Sequence, residues 1–128
     1  MLHAIGQGSV IHGGDGIDIL RGTDFADSLY GDGGNDRIYG SYGNDLLSGG
    51  GGNDRLLGQQ GKDRLYGGAG NDRLDPGASA DRVTAGAGDD TASLRDQFPD
   101  TFDGGPGNDS AQVDAKLDVL TSIETLLP

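Results

Sequence analysis

Apolar and acidic positions recur along this chain with a period of nine residues. Divided into rows of nine from Gly13, the sequence reads GGDGIDILR, GTDFADSLY, GDGGNDRIY, GSYGNDLLS, GGGGNDRLL, GQQGKDRLY, GGAGNDRLD, PGASADRVT and AGAGDDTAS. The sixth position is Asp and the eighth is apolar in all nine rows. A period of this length indicates a repeat architecture in which each row is one structural unit.

The frame extends beyond these rows in both directions. Residues 4–12 fit it with Ser9 in the place of Asp and Ile11 in the apolar slot. After one extra residue, Leu94, three more rows over 95–121 carry Asp100, Asp109 and Asp118 at the sixth position. Only residues 122–128 fall outside. We therefore expect a single domain over 1–128, with a degenerate repeat at 4–12, regular repeats over 13–112 and a separate C-terminal segment at 113–128.

The row pattern predicts short strands joined by tight turns. Recurrent glycines exclude a long helix, because each costs about 1 kcal/mol there. Positions seven to nine read x-apolar-x, which predicts a three-residue strand with its middle side chain facing inward. Positions one to six supply glycines that can turn sharply. We predict an all-β fold, a right-handed parallel β-roll (a β-helix or solenoid) with two repeats per coil, coils about 4.8 Å apart and a C-terminal capping segment.

A meander of antiparallel hairpins is the alternative, since Gly-Gly and Asn-Asp are good hairpin turns. Strands of three residues make poor hairpins, however. Hairpins also give no reason for Asp at every sixth position. The parallel roll explains both features.

Composition and charge narrow the choice of partner. The chain has 26 glycines and a formal charge of −12, and 20 of its 21 acidic residues are Asp. Short carboxylates beside glycines suit tight turns and hard cations, whereas nothing in such an acidic chain neutralises nucleic-acid phosphates. There is no Cys for a disulfide or thiolate site, no apolar run long enough to span a membrane, and no signal-peptide pattern over Met1 to His12.

Stacked coils would bring the aspartates of neighbouring turns close together, and like-charge repulsion would then oppose folding. Ca²⁺ relieves this repulsion because it accepts six to eight oxygen ligands in flexible geometry. Turn carbonyls can complete the shell. Zinc prefers Cys and His, and the two histidines, His3 and His12, lie outside the regular rows. The sequence therefore predicts several bound Ca²⁺ ions.

Two rows carry a family resemblance. GGGGNDRLL (49–57) and GGAGNDRLD (67–75) resemble the RTX, or hemolysin-type calcium-binding, nonapeptide GGxGxDxUx. The resemblance spans residues 13–112. It implies that each ion lies between the turns of rows n and n+2 on one edge of the roll. Sixth-position carboxylates would come from both turns, and carbonyls from the first and third positions of one turn and the second and fourth of the other.

Carried onto this chain, the resemblance implies two unequal edges. On the first edge every row keeps Gly at the fourth position, so five ion sites are expected between Asp18 and Asp109. The metal ligands expected on this edge are Gly13, Asp15, Asp18, Gly31, Asp32, Gly33, Gly34, Asp36, Gly49, Gly50, Gly51, Gly52, Asp54, Gly67, Gly68, Ala69, Gly70, Asp72, Gly86, Gly88, Asp90, Gly105, Gly107 and Asp109.

The second edge has Phe25, Ser79 and Phe98 at fourth positions. We expect its best site between Asp45 and Asp63, the next between Asp63 and Asp81, and the weakest between Asp27 and Asp45. The well-filled first edge would then face a patchy second edge. The metal ligands expected on the second edge are Asp27, Gly40, Tyr42, Gly43, Asp45, Gly58, Gly61, Asp63 and Asp81.

These features predict a calcium-binding structural module of a secreted bacterial protein. Without calcium, a thin core, glycine entropy and self-repulsion favour disorder, and ion binding would supply the missing stability. The resemblance implies type I secretion in the unfolded state, with folding outside the cell. We expect a monomer that is not an enzyme, because no Ser/His/acid or Cys/His set is present.

Several alternatives stay open at this level. The module could instead bind a polysaccharide or a surface in a calcium-dependent, adhesin-like way. It could be free-standing or part of a larger secreted protein. The apolar segment 113–128 could cap the last coil, as a solenoid requires, or carry a signal for the secretion machinery.

Overall fold

The computed structural model describes residues 1–3, 6–114 and 117–128. The first two residues of the degenerate repeat, 4 and 5, and two residues of the C-terminal segment, 115 and 116, lie outside the described residues. The described part contains strands and turns and no helix, and so none that could cross a membrane. Its strands are β1 (Leu2–His3), β2 (Val10–Asp15), β3 (Ile19–Arg21), β4 (Ser28–Gly33), β5 (Arg37–Tyr42), β6 (Leu46–Gly51), β7 (Arg55–Gln60), β8 (Arg64–Ala69), β9 (Arg73–Ala78), β10 (Arg82–Ala87), β11 (Thr91–Leu94), β12 (Thr101–Asp103), β13 (Ser110–Val113), β14 (Val119–Thr121) and β15 (Thr125–Leu127).

The strands alternate between two parallel sheets. Odd-numbered strands form an eight-stranded sheet and even-numbered strands a seven-stranded sheet, each in sequence order. In the pairings of β5, β7 and β9, Ile38 lies opposite Leu56 and Leu56 opposite Leu74, a shift of 18 residues. One coil therefore consists of two nine-residue rows, as predicted. The parallel β-roll is confirmed, and the antiparallel alternative is wrong, because every described strand pair is parallel.

The eighth-position side chains form the core between the two sheets. They are buried along the array: Ile11, Leu20, Leu29, Ile38, Leu47, Leu56, Leu65, Leu74, Val83, Ala92, Phe102 and Ala111. Each coil contributes only two of them, so the core is one continuous but narrow column. A Leu at this position buries its side chain fully, which is worth about 1.5–3 kcal/mol relative to exposure.

The strands are longer than the row pattern predicts. Eight of them, β2 and β4 to β10, have six residues rather than three. The sheet pairing continues into the next row, where Ser41 lies opposite Gln59 and Tyr42 opposite Gln60. The first three turn positions thus also bond to the neighbouring coil. Stacking, which a single row does not reveal, satisfies backbone groups that an isolated turn would leave to water.

Among the nine-residue rows, the register changes at Leu94. The pairing shift grows from 18 to 19 residues, with Arg82 opposite Thr101, and Leu94 itself packs into the core at 1% exposure. The extra residue is therefore absorbed inside the roll. The coils on either side of it stay in the same two sheets.

The C-terminal residues 122–128 lie outside the nine-residue frame in sequence, yet they continue the fold. β15 pairs with β13, with Leu126 opposite Ala111. The Glu124 carboxylate accepts the backbone N–H of Asp109 at 2.8 Å. The segment is thus a shortened last repeat in which Glu takes the position of Asp. The longer Glu side chain makes this bond between residues that are 15 apart in the sequence, whereas the bonded aspartates of regular rows are 18 apart.

Candidate metal-binding site

The sixth-position aspartates lie at the two edges where the sheets meet. Asp36 directly precedes β5 and Asp45 directly precedes β6, so successive aspartates alternate between edges. We call the row before odd-numbered strands the first edge: Asp18, Asp36, Asp54, Asp72, Asp90 and Asp109. The row before even-numbered strands is the second edge: Asp27, Asp45, Asp63, Asp81, Asp100 and Asp118.

A ladder of carboxylate hydrogen bonds runs along each edge. On the first edge, the backbone N–H of Asp36 donates to Oδ1 of Asp54 at 2.7 Å. On the second, the N–H of Asp45 donates to Oδ1 of Asp63 at 2.8 Å. The pattern extends from Ser9, whose N–H donates to Asp27, to Asp118. Every coil is therefore tied to the next through one oxygen of each carboxylate.

The other oxygen of these carboxylates is buried without a partner. Among the described residues, no hydrogen bond reaches Oδ2 of Asp36, Asp45, Asp54, Asp63, Asp72, Asp81, Asp90, Asp100 or Asp109. These side chains are at most 4% exposed. A buried acceptor without a partner costs about 1–3 kcal/mol, and more when charged. Nine such oxygens in two rows require nine compensating charges or protons, or ions shared between them.

Glycine at the first position of most rows keeps space beside this oxygen. A Cβ on Gly49 would lie 2.3 Å from Oδ2 of Asp54 and 2.6 Å from the carbonyl oxygen of Gly67. A Cβ on Gly58 would lie 2.3 Å from Oδ2 of Asp63. The sequence analysis assigned these glycines to turn formation and ligand carbonyls. The structure adds a steric reason, which is that a side chain on Gly49 or Gly58 would fill the space around the unpartnered oxygen.

The fourth-position glycines serve the turn itself. Gly52 has a φ of 120°, and a Cβ on it would lie 2.0 Å from the carbonyl oxygen of Gly34 in the preceding coil. The N–H of Gly34 donates to the carbonyl of Gly51 at 2.7 Å. That third-position carbonyl, an expected ligand, retains a second lone pair. The turns can therefore offer carbonyl oxygens to an ion while staying bonded to each other.

Burial raises the pKa of the nine edge carboxyls whose Oδ2 has no partner, and neighbouring acidic side chains raise it further. The pKa of Asp63 and of Asp81 rises to about 7, and that of Asp45 to about 6, on the second edge. On the first edge the pKa of Asp72 rises to about 6 for the same reasons. In each case desolvation is the largest cause, and the backbone N–H of the preceding coil partly offsets it. The site thus disfavours bare carboxylate charge and favours a bound cation or proton.

Position five contributes a second ladder that the sequence analysis missed. The N–H of Asn71 donates to Oδ1 of Asn53 at 2.8 Å, and the N–H of Asn53 donates to Oδ1 of Asn35 at 2.8 Å. These bonds run in the opposite direction along the chain to the aspartate bonds. The recurrent Asn-Asp pair in the rows was the available signal. It predicts a side-chain bond between coils only when the 18-residue stacking is known.

The two edges share the aspartate ladder but differ at individual residues. Oδ2 of Asp27 accepts hydrogen bonds from the backbone N–H of Thr23 at 2.7 Å and from its hydroxyl at 2.8 Å. This oxygen therefore has partners within its own turn, and the rank of the Asp27–Asp45 site stays a prediction. Asp32, expected to offer its carbonyl, turns its side chain outward to His12, whose Nδ1 lies 3.0 Å from Oδ2. Unequal ion filling of the two edges stays a prediction.

The donor set at both edges fits calcium. It consists of carboxylate and carbonyl oxygens, with no thiolate or imidazole, and hard divalent cations prefer such ligands. Comparison with known protein families gives the same result. The family model for the RTX calcium-binding nonapeptide repeat matches four times, at residues 12–47, 39–74, 57–92 and 97–112. Comparisons with curated proteins and with solved structures found no match.

Proposed function

Because this chain belongs to the RTX calcium-binding nonapeptide repeat family, and so is a calcium-binding structural module, we propose that it is a folding switch. In this proposal the chain is unfolded where calcium is scarce. It folds into the β-roll when ions fill the two edges. Calcium binding and folding are then one equilibrium, as in other small metal-dependent domains.

The observation that carries this proposal is that nine buried Oδ2 atoms in the described part of the chain have no hydrogen-bond partner. At about 1–3 kcal/mol each, a handful of them equals the whole net stability of an ordinary domain, about 5–15 kcal/mol. The narrow core and the glycine-rich turns leave little to offset this cost. An ion shared by two carboxylates removes the cost at both, so the roll gains stability with each ion.

A switch of this kind suits a protein that crosses a membrane before it folds. Extracellular calcium modules bind at about 10⁻⁴–10⁻³ M, which is far above cytosolic calcium. We propose that the chain is secreted in the unfolded state and folds outside, where it stabilises the protein to which it belongs. The family's typical occurrence in secreted proteins supports this proposal.

The test is circular dichroism of the full chain in chelator and during calcium titration near pH 7.5. The proposal predicts a disordered spectrum without calcium and a cooperative rise of β signal between about 10⁻⁴ and 10⁻³ M. Mg²⁺ at the same concentrations is the control, and it should give a much smaller response because it holds its waters and needs near-octahedral geometry. A full β signal in chelator would exclude the switch.

A further inference from the structure

A third carboxylate joins the second edge at the point where the repeat register breaks. One carboxylate oxygen from each of Asp81, Asp96 and Asp100 lies within 4.8 Å of the other two. Asp96 follows the extra residue Leu94 and lies between two matched copies of the family model, which cover 57–92 and 97–112. The nonapeptide pattern therefore assigns no role to the side chain of Asp96.

Two of the three side chains have an unpartnered buried oxygen. Asp81 and Asp100 are 4% and 1% exposed, respectively. Oδ1 of Asp81 accepts the N–H of Asp63, and Oδ1 of Asp100 accepts the N–H of Asp81. In the described part of the chain, Oδ2 of both residues has no hydrogen-bond partner, so these oxygens are free to accept a ligand.

Asp96 is held beside them by the backbone. Its Oδ2 accepts the N–H of Ser79 at 3.0 Å and its Oδ1 accepts the N–H of Phe98 at 2.9 Å. Over residues 1–3, 6–114 and 117–128, no Lys or Arg forms an ion pair with any of the three carboxylates. Three negative groups are thus fixed in one place without a compensating side-chain charge.

The same edge contains a natural comparison. Thr23 and Asp96 both occupy the second position of their rows. Thr23 donates its hydroxyl to Oδ2 of Asp27 and so satisfies that oxygen inside the turn. Asp96 is an acceptor when ionised, so it cannot do the same for Asp100. A threonine at this position closes the turn, whereas an aspartate leaves three acceptors that need a cation.

We propose that Asp96 adds a third carboxylate to one Ca²⁺ bound between the sixth-position residues Asp81 and Asp100, a ligand that the nonapeptide consensus does not contain. The inference rests on the proposed calcium-dependent function and adds a specific site to it. Two oxygens on one Ca²⁺ at about 2.3–2.6 Å can be at most about 4.6–5.2 Å apart, so the observed spacing fits a single ion. Three charged ligands also bind Ca²⁺ more tightly than two, because ligand charge tunes affinity.

The experiment is calcium binding by the full chain, with ions counted by native mass spectrometry and affinities measured by isothermal titration calorimetry. Asp96→Asn removes one charge and supplies an amide donor. The expected result is a loss of at least tenfold in affinity at one site, seen as one ion fewer near 1 mM Ca²⁺. Asp24→Asn is the matched control, because Asp24 is an exposed aspartate on the same edge next to Thr23, and it should keep the wild-type count.

A reciprocal variant makes the test independent of folding defects. Thr23→Asp combined with Ser9→Asp places carboxylates beside Asp27 at the positions equivalent to Asp96 and Asp81, and the proposal predicts one ion more than in Ser9→Asp alone. If Asp96→Asn binds as many ions as wild type with equal affinity, the proposal is overturned. If that variant does not fold in calcium, the double variant Ser9→Asp/Thr23→Asp decides, and an ion count equal to that of Ser9→Asp overturns the proposal. A wild-type chain that binds no calcium would instead refute the proposed function itself.

Discussion

Asp63 offers a direct test of how ions stabilise the roll. Its Oδ1 accepts the N–H of Asp45, its own N–H donates to Asp81, and its Oδ2 is buried without a partner among the described residues. Asp63 therefore belongs to the two best of the three ion sites expected on the second edge. Asp63→Asn keeps an oxygen for the Asp45 bond and replaces the charged oxygen with an amide. We expect the variant to fold and to lose one or two ions.

The magnitude follows from linkage between binding and folding. A site filled at about one hundred times its dissociation constant contributes about 2.7 kcal/mol to stability. Loss of one site, or of both sites that share Asp63, should lower the free energy of unfolding in about 10 mM Ca²⁺ by roughly 3–5 kcal/mol. The slope of this free energy against the natural logarithm of the calcium concentration should also fall, by about 0.6 kcal/mol for each ion lost.

Urea unfolding followed by circular dichroism at several calcium concentrations measures both quantities. The control is Asp27→Asn, since Oδ2 of Asp27 already accepts two hydrogen bonds from Thr23. This control should lose about 1–3 kcal/mol, because the amide nitrogen cannot accept the N–H of Thr23, and should keep the wild-type calcium slope. Equal slopes for wild type and Asp63→Asn, or an equal loss of slope in both variants, would refute the reasoning.

Three further predictions concern protons, backbone and the chain end. The pKa of Asp63 is raised from 3.8 to about 7. Protonated Asp63 therefore contributes stability to the metal-free roll that is fully present below pH 4 and is lost as the pH rises through 7. In chelator, acidification from pH 8 to 5 should therefore increase the β signal. In calcium titrations the same acidification should raise the calcium concentration at the midpoint of folding. Spectra and midpoints that do not change with pH would contradict this. Gly52→Ala should destabilise the roll by more than about 3 kcal/mol, because its Cβ would lie 2.0 Å from a backbone oxygen. Gly51→Ala should be nearly neutral, because a Cβ there would have no atom within 4 Å. Equal melting temperatures of the two variants would disprove the steric argument. Glu124→Ala leaves the N–H of Asp109 without its acceptor and should cost about 1–3 kcal/mol, while Glu124→Gln keeps an acceptor oxygen and should melt close to wild type.

The architecture was predictable because one period determines both the strands and their stacking. The eighth position of each regular row is apolar and the sixth is Asp, so the rows should fold alike. Two rows per coil then place Ile38 next to Leu56 in the neighbouring coil, as observed. The core column could therefore be named residue by residue. Ile11 confirms this even in the degenerate first repeat.

Features that depend on contacts between coils were not predictable from a single row. The six-residue strands arise because turn residues such as Ser41 pair with the next coil. The ladder through Asn53 has the same origin. Residues 122–128 do not resemble a repeat in sequence, because Glu124 takes the place of Asp and is 15 residues, not 18, from Asp109. The ligand sets at the two edges stay predictions, since they concern ions rather than the fold.

The alternation of rows between two sheets sets the step in which this chain can change length. Removal of 18 residues from the array would delete one coil and leave every later row in its own sheet, opposite the same kind of neighbour. Removal of nine residues would instead move every later row to the opposite sheet, so that glycine-rich turns of the first edge would stack on turns carrying Phe25 or Ser79. A single extra residue at Leu94 is absorbed without such an exchange. Lengthening by duplication is thus tolerated in units of the coil, although the sequence repeats in units half that size.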